Sequence, residues 1–143
     1  MYKDVHLYRE RSAELLRVYR EVAPLCITER QAAERVVKHK SPRFWVTPHA
    51  VYDKLWNTFT GRSQELPLVK ANEIRMYTEL LSRLRRLSCQ PENMGMSFTQ
   101  LCEKVVREEA PEFYMSPSTF RQLLASERKR LREERRRRHV DRR

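Results

Sequence analysis

The sequence predicts an all-α protein: a tandem duplication of a three-helix unit, followed by an arginine-rich, helical C-terminal extension. Apolar residues recur at steps of three and four along most of the chain, which is the spacing of one helix face. Ser or Thr, often followed by Pro, precedes several of these stretches, as at helix starts. A shift of 69 positions aligns residues 3–55 with 72–124 without a gap, and 12 of the 53 pairs are identical. Similarity at a fixed period indicates a duplicated structural unit.

The first unit, residues 1–62, contains three predicted helices. The first covers residues 3–22, and the second follows Thr28 as N-cap and extends to about Lys40. The third begins at Thr47-Pro48, because Thr caps and Pro suits the first helical position. Gly61 is expected to end it in the left-handed conformation. The residues expected to face the core are Val5, Tyr8, Ser12, Leu15, Tyr19, Val22, Ala32, Ala33, Val36, Val37, Val51, Leu55, Trp56 and Phe59.

The second unit, residues 68–125, repeats this order after the linker "TGRSQELP". A fourth helix extends to about Leu87, a fifth starts after the cap Ser97, and a sixth opens at Ser116-Pro117. The sixth helix is expected to continue into the basic extension, residues 126–143. The residues expected to face the core are Ile74, Tyr77, Leu81, Leu84, Leu101, Val105, Val106, Phe120 and Leu124.

Each unit contains the same unusual connector between its second and third helices. The first connector, residues 41–48, is "SPRFWVTP", and the second, residues 110–117, is "APEFYMSP". Bracketing prolines restrict the backbone and reduce the entropy lost on ordering. In an extended segment alternate side chains face the same way. Phe44 with Val46, and Phe113 with Met115, are therefore predicted to point into the core, and Trp45 and Tyr114 to face the other side.

The charge of the chain predicts an anionic partner. Lys and Arg number 30 against 19 Asp and Glu, a formal net charge of +11, and residues 125–143 alone carry 10 basic and 4 acidic side chains. Such a run binds polyanions by releasing their counterions. Its candidate contact residues are Arg128, Lys129, Arg132, Arg135, Arg136, Arg137 and Arg138. A helical arginine stripe and a disordered arm that orders on binding are both consistent with it.

Other features exclude several protein classes. Two glycines are too few for phosphate-cradling nucleotide loops. The charged N-terminus lacks a signal-peptide pattern, and no apolar run is long enough to cross a membrane. Three cysteines without CxxC spacing indicate reduced thiols in a cytoplasmic protein. The four histidines do not cluster with cysteines at ligand spacing, so the sequence predicts no metal, no cofactor and no catalytic residue.

A three-helix unit with a short connection before its last helix resembles tandem helix-turn-helix DNA-binding proteins. The resemblance covers residues 3–60 and 72–124, although the connector has about eight residues where that family has three or four. It implies a third helix in the major groove. The residues placed near DNA in the first unit are Lys38, Lys40, Arg43, His49 and Lys54. "PRFWVTP" is also similar to segments of small uncharacterised proteins of phages and mobile elements in gut bacteria.

The second unit carries acids where the first carries bases. "KHKSPRF" in the first unit aligns with "REEAPEF" in the second, and Glu108, Glu109 and Glu112 would repel phosphate. We therefore expect the second unit to be structural, or to contact a protein partner or another copy of the chain.

Together these patterns predict a non-enzymatic nucleic-acid-binding protein of phage or mobile-element type, with double-stranded DNA favoured and transcriptional regulation as one role. The alternative is a helical structural or adaptor protein, of a virion or a complex, whose basic extension touches nucleic acid or an acidic partner.

Overall fold

The computed structural model describes residues 5–141 and is all-α, which confirms the predicted fold class. The predicted helix start at residue 3 and the last two arginines, 142 and 143, lie outside the described residues. Six α-helices occur in the described part: α1 Val5–Val22, α2 Glu29–Lys38, α3 Pro48–Phe59, α4 Ala71–Ser88, α5 Phe98–Val105 and α6 Pro117–Asp141. Short 3₁₀ turns occupy Ala23–Leu25 and Pro91–Asn93.

Side-chain caps begin the helices where the sequence predicts them. Thr47 accepts a hydrogen bond from the Ala50 amide at 3.2 Å, and Ser97 accepts one from the Gln100 amide at 3.2 Å. The Gln100 side chain in turn accepts from the Ser97 amide, which completes a capping box. Gly61 follows α3 with φ of 79°, the left-handed conformation that glycine adopts at low cost.

We expect Thr47→Ala to lower the free energy of unfolding by about 1 kcal/mol, because the Ala50 amide loses its partner at the start of α3. Thr47→Ser keeps the hydroxyl and is the matched control, with a loss well below that of the alanine variant. Urea denaturation followed by circular dichroism measures both. Equal losses in the two variants would show that the cap is not what stabilises this end of α3.

The burial predicted for alternate connector residues is confirmed, but the outward direction predicted for Tyr114 is wrong. Tyr114 has a φ of 54° rather than an extended conformation, and it packs against buried residues that include Phe44. Phe44 and Phe113 are buried, as are Val46 and Met115. Trp45 and Tyr114 are half-buried. The Tyr114 ring stacks on Phe44 with the ring centroids 6.1 Å apart.

The core face predicted for α1 is wrong at its N-terminal end. Tyr8 is 47% exposed, and Val5 is exposed too. The buried stripe of α1 consists of Leu7, Leu15, Val18 and Val22. The Arg11 guanidinium carbon lies 4.8 Å from the centroid of the exposed Tyr8 ring, a cation–π contact at the surface. Ile74, which aligns with Val5, is likewise exposed rather than in the core.

The described chain forms two compact units, each made of two separate segments. We call residues 5–11 and 38–114 the connector unit, and residues 12–37 and 115–141 the tail unit. The connector unit contains α3, α4 and α5. Its core consists of Phe44, Val46, Val51, Leu55, Tyr77, Leu80, Leu81, Leu84, Leu87, Phe98, Leu101, Cys102, Val105, Val106 and Ala110.

The tail unit contains most of α1, most of α2 and all of α6. Tyr19 of α1 packs on Phe120 of α6 with the ring centroids 5.7 Å apart. Its fully buried side chains are Leu15, Val18, Ala32, Ala33, Val36, Val37 and Phe120.

Each compact unit therefore combines helices from both predicted three-helix units. α3, from residues 1–62, lies with α4 and α5, whereas α6 lies with the helices of residues 12–37. The duplication itself stays a prediction from the sequence.

Candidate nucleic-acid interface

The two connectors meet inside the connector unit. The Ser41 amide donates to the Ala110 carbonyl at 2.9 Å, and the Ala110 amide donates back to the Ser41 carbonyl at 2.8 Å. This antiparallel bridge joins residues 69 positions apart, the same offset that aligns the two halves. The Phe44 amide also donates to the Val106 carbonyl at 2.9 Å. These bonds satisfy buried backbone groups that short helices and extended connectors leave open.

Two bases that precede the first connector lie opposite acids around the start of the second connector. Lys38 Nζ is 3.0 Å from Glu112 Oε2, and Lys40 Nζ is 3.9 Å from Glu109 Oε1. Glu112 also pairs with Arg75 of α4, and only 15% of its side chain is exposed. The acids that we expected to repel phosphate therefore neutralise neighbouring bases. Any phosphate approaching Lys38 or Lys40 competes with these carboxylates.

Arg43 is directed at its own connector. Its Nε donates to the Phe44 carbonyl at 3.0 Å and Nη2 to the Val46 carbonyl at 3.4 Å. Its guanidinium carbon lies 5.5 Å from the Trp45 ring centroid, and Trp45 Nε1 donates to Ser41 Oγ at 2.7 Å. Arg43 and Trp45 thus stabilise the connector conformation. His49 and Lys54 are exposed on α3, with His49 Nε2 3.1 Å from Asp53 Oδ2.

The basic extension is helical, as expected, and continuous with α6 through Asp141. Ser116 Oγ accepts a hydrogen bond from the Thr119 amide at 3.2 Å where α6 begins. In the first turns of α6, the side chains of Phe120 and Leu124 are buried. Farther along, side-chain pairs support the helix: Arg130 pairs with Glu127 and, at 3.6 Å, with Glu134. Such pairs at spacings of three and four residues stabilise exposed helices modestly.

The charges of α6 are segregated around the helix. At about 100° per residue, seven titratable bases fall on roughly one third of the circumference. We call them the basic stripe: Arg121, Arg128, Lys129, Arg132, Arg135, Arg136 and His139. None of the four acids of α6 falls on that third. Glu127, Glu133, Glu134 and Asp141 lie on the rest of the helix, with Arg130, Arg137 and Arg138.

The two ends of the basic stripe differ in their partners. Arg128 Nη1 lies 3.0 Å from Glu29 Oε2 of α2, and Arg121 Nε lies 3.8 Å from Glu29 Oε1. Within residues 5–141, Lys129, Arg132, Arg135 and Arg136 form no ion pair with a carboxylate, and all four are exposed. A shallow groove of about 510 Å³ follows this part of the helix and is lined by Ala125, Arg128, Leu131, Arg132 and Arg135.

The structure thus brings together five of the seven extension residues predicted to bind nucleic acid. Arg128, Lys129, Arg132, Arg135 and Arg136 lie on the stripe, whereas Arg137 and Arg138 project elsewhere. Sequence reasoning missed Arg121 and His139. Both follow from the seven-residue spacing, since Arg121, Arg128 and Arg135 are two helical turns apart, and Arg132 and His139 likewise.

The buried titratable groups of the connector unit lie in its core. Burial raises the pKa of the Cys102 thiol to about 12, with Glu103 contributing. Burial likewise raises the pKa of Tyr77 to about 12, with smaller contributions from Glu73 and Asp53. These groups stay protonated at neutral pH. Across residues 5–141, no three His, Cys, Asp or Glu side chains are arranged to hold a metal ion.

Comparison with protein-family models, curated proteins and solved structures finds no match to this chain. In the described part of the chain, no helix has both the length and the apolar character that a bilayer span requires.

Proposed function

We propose that this protein is a non-enzymatic nucleic-acid-binding protein that holds double-stranded DNA through the basic stripe of α6. The observation that carries the proposal is the segregation of charge around that helix. If the charges of α6 served only to keep the helix soluble, bases and acids would be expected all around it. Instead, most of the bases lie on one third of its circumference and the acids on the rest. A row of exposed guanidinium groups suits phosphate oxygens, which they bind in a bidentate way.

The dimensions of α6 suit a duplex. Its 25 residues span about 37 Å, roughly one turn of B-DNA, and the major groove is about 12 Å wide. Four unpaired bases of the stripe, Lys129, Arg132, Arg135 and Arg136, can neutralise several phosphates, and the release of counterions makes the affinity salt-dependent. Of the site residues predicted in the first unit, Lys54 on α3 is exposed and open to a second contact, whereas His49 lies beside Asp53. Lys38, Lys40 and Arg43 would first have to leave their present partners.

The test is fluorescence anisotropy with a labelled DNA duplex at several salt concentrations. We expect Arg132→Gln combined with Arg136→Gln to weaken binding about tenfold or more. The salt dependence should also become shallower, by about 0.9 in the logarithmic slope for each phosphate that the variant no longer neutralises. The matched control is Arg130→Gln combined with Arg137→Gln, which removes the same charge from the opposite face. We expect it to change the affinity less than about threefold.

Two outcomes would overturn the proposal. One is an absence of duplex binding by the unaltered protein at low salt. The other is an equal loss of affinity in the two double variants, which would mean that net charge alone attracts the DNA. Binding single-stranded or RNA ligands in preference to duplex DNA would overturn the choice of duplex and leave the stripe as the binding surface.

The alternative function, a helical structural or adaptor protein, is favoured by a different observation. Two loops each expose a pair of apolar side chains ahead of a helix: Leu25 and Ile27 before α2, and Met94 and Met96 before α5. Exposed apolar groups of this kind are typical of protein contacts. On this alternative, the protein would retain its partner when the stripe is neutralised.

A further inference from the structure

We propose that Glu29 is an internal competitor for the phosphate groups of nucleic acid, and that it limits the length of the basic stripe available for binding. This inference rests on the proposed function. It concerns the N-terminal part of the stripe, where Arg121 and Arg128 meet the first residue of α2.

The geometry around Glu29 is that of an occupied anion site. One carboxylate oxygen is 3.0 Å from Arg128 Nη1, and the other is 3.8 Å from Arg121 Nε. Arg128 Nη2 also donates to the Tyr19 hydroxyl at 3.3 Å. The hydrogen bond to Glu29 raises the pKa of Arg128 above its ordinary value. A carboxylate and a phosphate compete for the same donor groups of a guanidinium.

Glu29 is stable in this place without any ligand. It begins α2, where the partial positive charge of the helix N-terminus favours a carboxylate. Yet about half of the Arg128 and Arg121 side chains is exposed, as is 37% of Glu29. Exposed ion pairs contribute little free energy and are screened by salt. A phosphate that follows the stripe from Arg132 can therefore displace Glu29 at small cost.

The experiment compares Glu29→Gln with Glu34→Gln by anisotropy on the same duplex. Both variants remove one carboxylate from α2, but Glu34 pairs with Arg30 on its own helix, not with the stripe. We expect Glu29→Gln to bind about two- to fivefold more tightly than Glu34→Gln at low salt. Its salt dependence should be steeper by about 1 to 2 in the logarithmic slope, since one or two more phosphates are neutralised.

Two further variants test whether a change in affinity comes from disruption of α2. Glu29→Asp keeps the charge at the helix start but withdraws the carboxylate by one methylene, and we expect an intermediate gain in affinity. Adding Arg128→Gln to Glu29→Gln should abolish the gain. Circular dichroism melting curves establish that each variant is folded.

The outcomes separate this inference from the proposed function. If the unaltered protein does not bind the duplex, the proposed function fails and this inference with it. If the unaltered protein binds but Glu29→Gln and Glu34→Gln tighten binding equally, net charge explains the gain. The assignment of Glu29 as a competitor is then overturned, and the stripe remains.

Discussion

Replacing Phe44 by alanine is expected to lower the free energy of unfolding by about 3–5 kcal/mol. Phe44 is 1% exposed and belongs to the core of the connector unit. Tyr114 stacks on its ring, and the Arg83 guanidinium carbon lies 5.0 Å from its centroid. Alanine would remove the ring's buried surface and leave a cavity that the bridged connectors are too constrained to fill.

The measurement is urea denaturation followed by circular dichroism. The slope of the unfolding free energy against urea concentration is compared between variants. Tyr8→Ala is the control, because Tyr8 is an aromatic residue that is 47% exposed. We expect it to cost less than about 1 kcal/mol. A Phe44→Ala variant no less stable than Tyr8→Ala would show that the connector does not depend on its buried ring.

Arg83→Met is expected to lower the free energy of unfolding by about 2–3 kcal/mol, although methionine keeps much of the length and the apolar character of the side-chain stem. Only 18% of the Arg83 side chain is exposed. It lies 2.8 Å from Glu79 and 3.3 Å from Glu108, and its Nη1 donates to the Glu109 carbonyl at 2.6 Å. Losing the guanidinium leaves the Glu109 carbonyl and the half-buried Glu79 carboxylate without this partner.

Arg86→Met is the matched control on the same helix. Arg86 also pairs with Glu108, at 3.0 Å, but 57% of its side chain is exposed. Its loss should cost less than about 1 kcal/mol. Arg83→Lys should fall between the two, because an ammonium group keeps the charge but not the planar fork. If Arg83→Met and Arg86→Met cost the same, the contacts of Arg83 to Glu79 and the Glu109 carbonyl are not stabilising.

Helix positions could be predicted because their causes are local. Thr47, Ser97 and Gly61 act on backbone groups within three or four residues, so their roles are legible in the sequence. The burial of Phe44 and Phe113 was predicted from alternation along each connector, and it holds although Tyr114 is left-handed and not extended. Which side of α1 faces the core could not be predicted from Tyr8, because tyrosine occurs both in cores and on partly exposed surfaces.

The connector charges show what sequence reasoning could not supply. Glu109 and Glu112 were expected to repel phosphate. That expectation assumed that each is an isolated surface charge. In the structure they lie beside Lys40 and Lys38, 69 and 74 positions away along the chain. Partners that far apart in sequence are chosen by tertiary packing. The ion pairs therefore could not be predicted from the charge pattern of either segment.

The basic composition of the candidate interface could be predicted, but which of its side chains share one face of α6 could not. The sequence showed a run of arginines and supported a helix, yet it weighted Arg137 and Arg138 equally with Arg132 and Arg136. Their separation required the helix to be continuous from Pro117, which fixes the direction of every later side chain. The pairing of Glu29 with Arg121 and Arg128 depends on α2 and α6 sharing one compact unit.

The all-helical class, several helix starts, the burial of the connector phenylalanines and the basic character of the C-terminal helix could all be predicted from local sequence patterns. Which helices share a core, which carboxylates face which bases and which arginines stay unpaired became known from the folded chain alone. The two sets of features differ in the sequence distance over which their causes act. Caps, periodicity and turn residues act over a few positions, whereas burial and ion pairing depend on which distant segments the folded chain brings into contact.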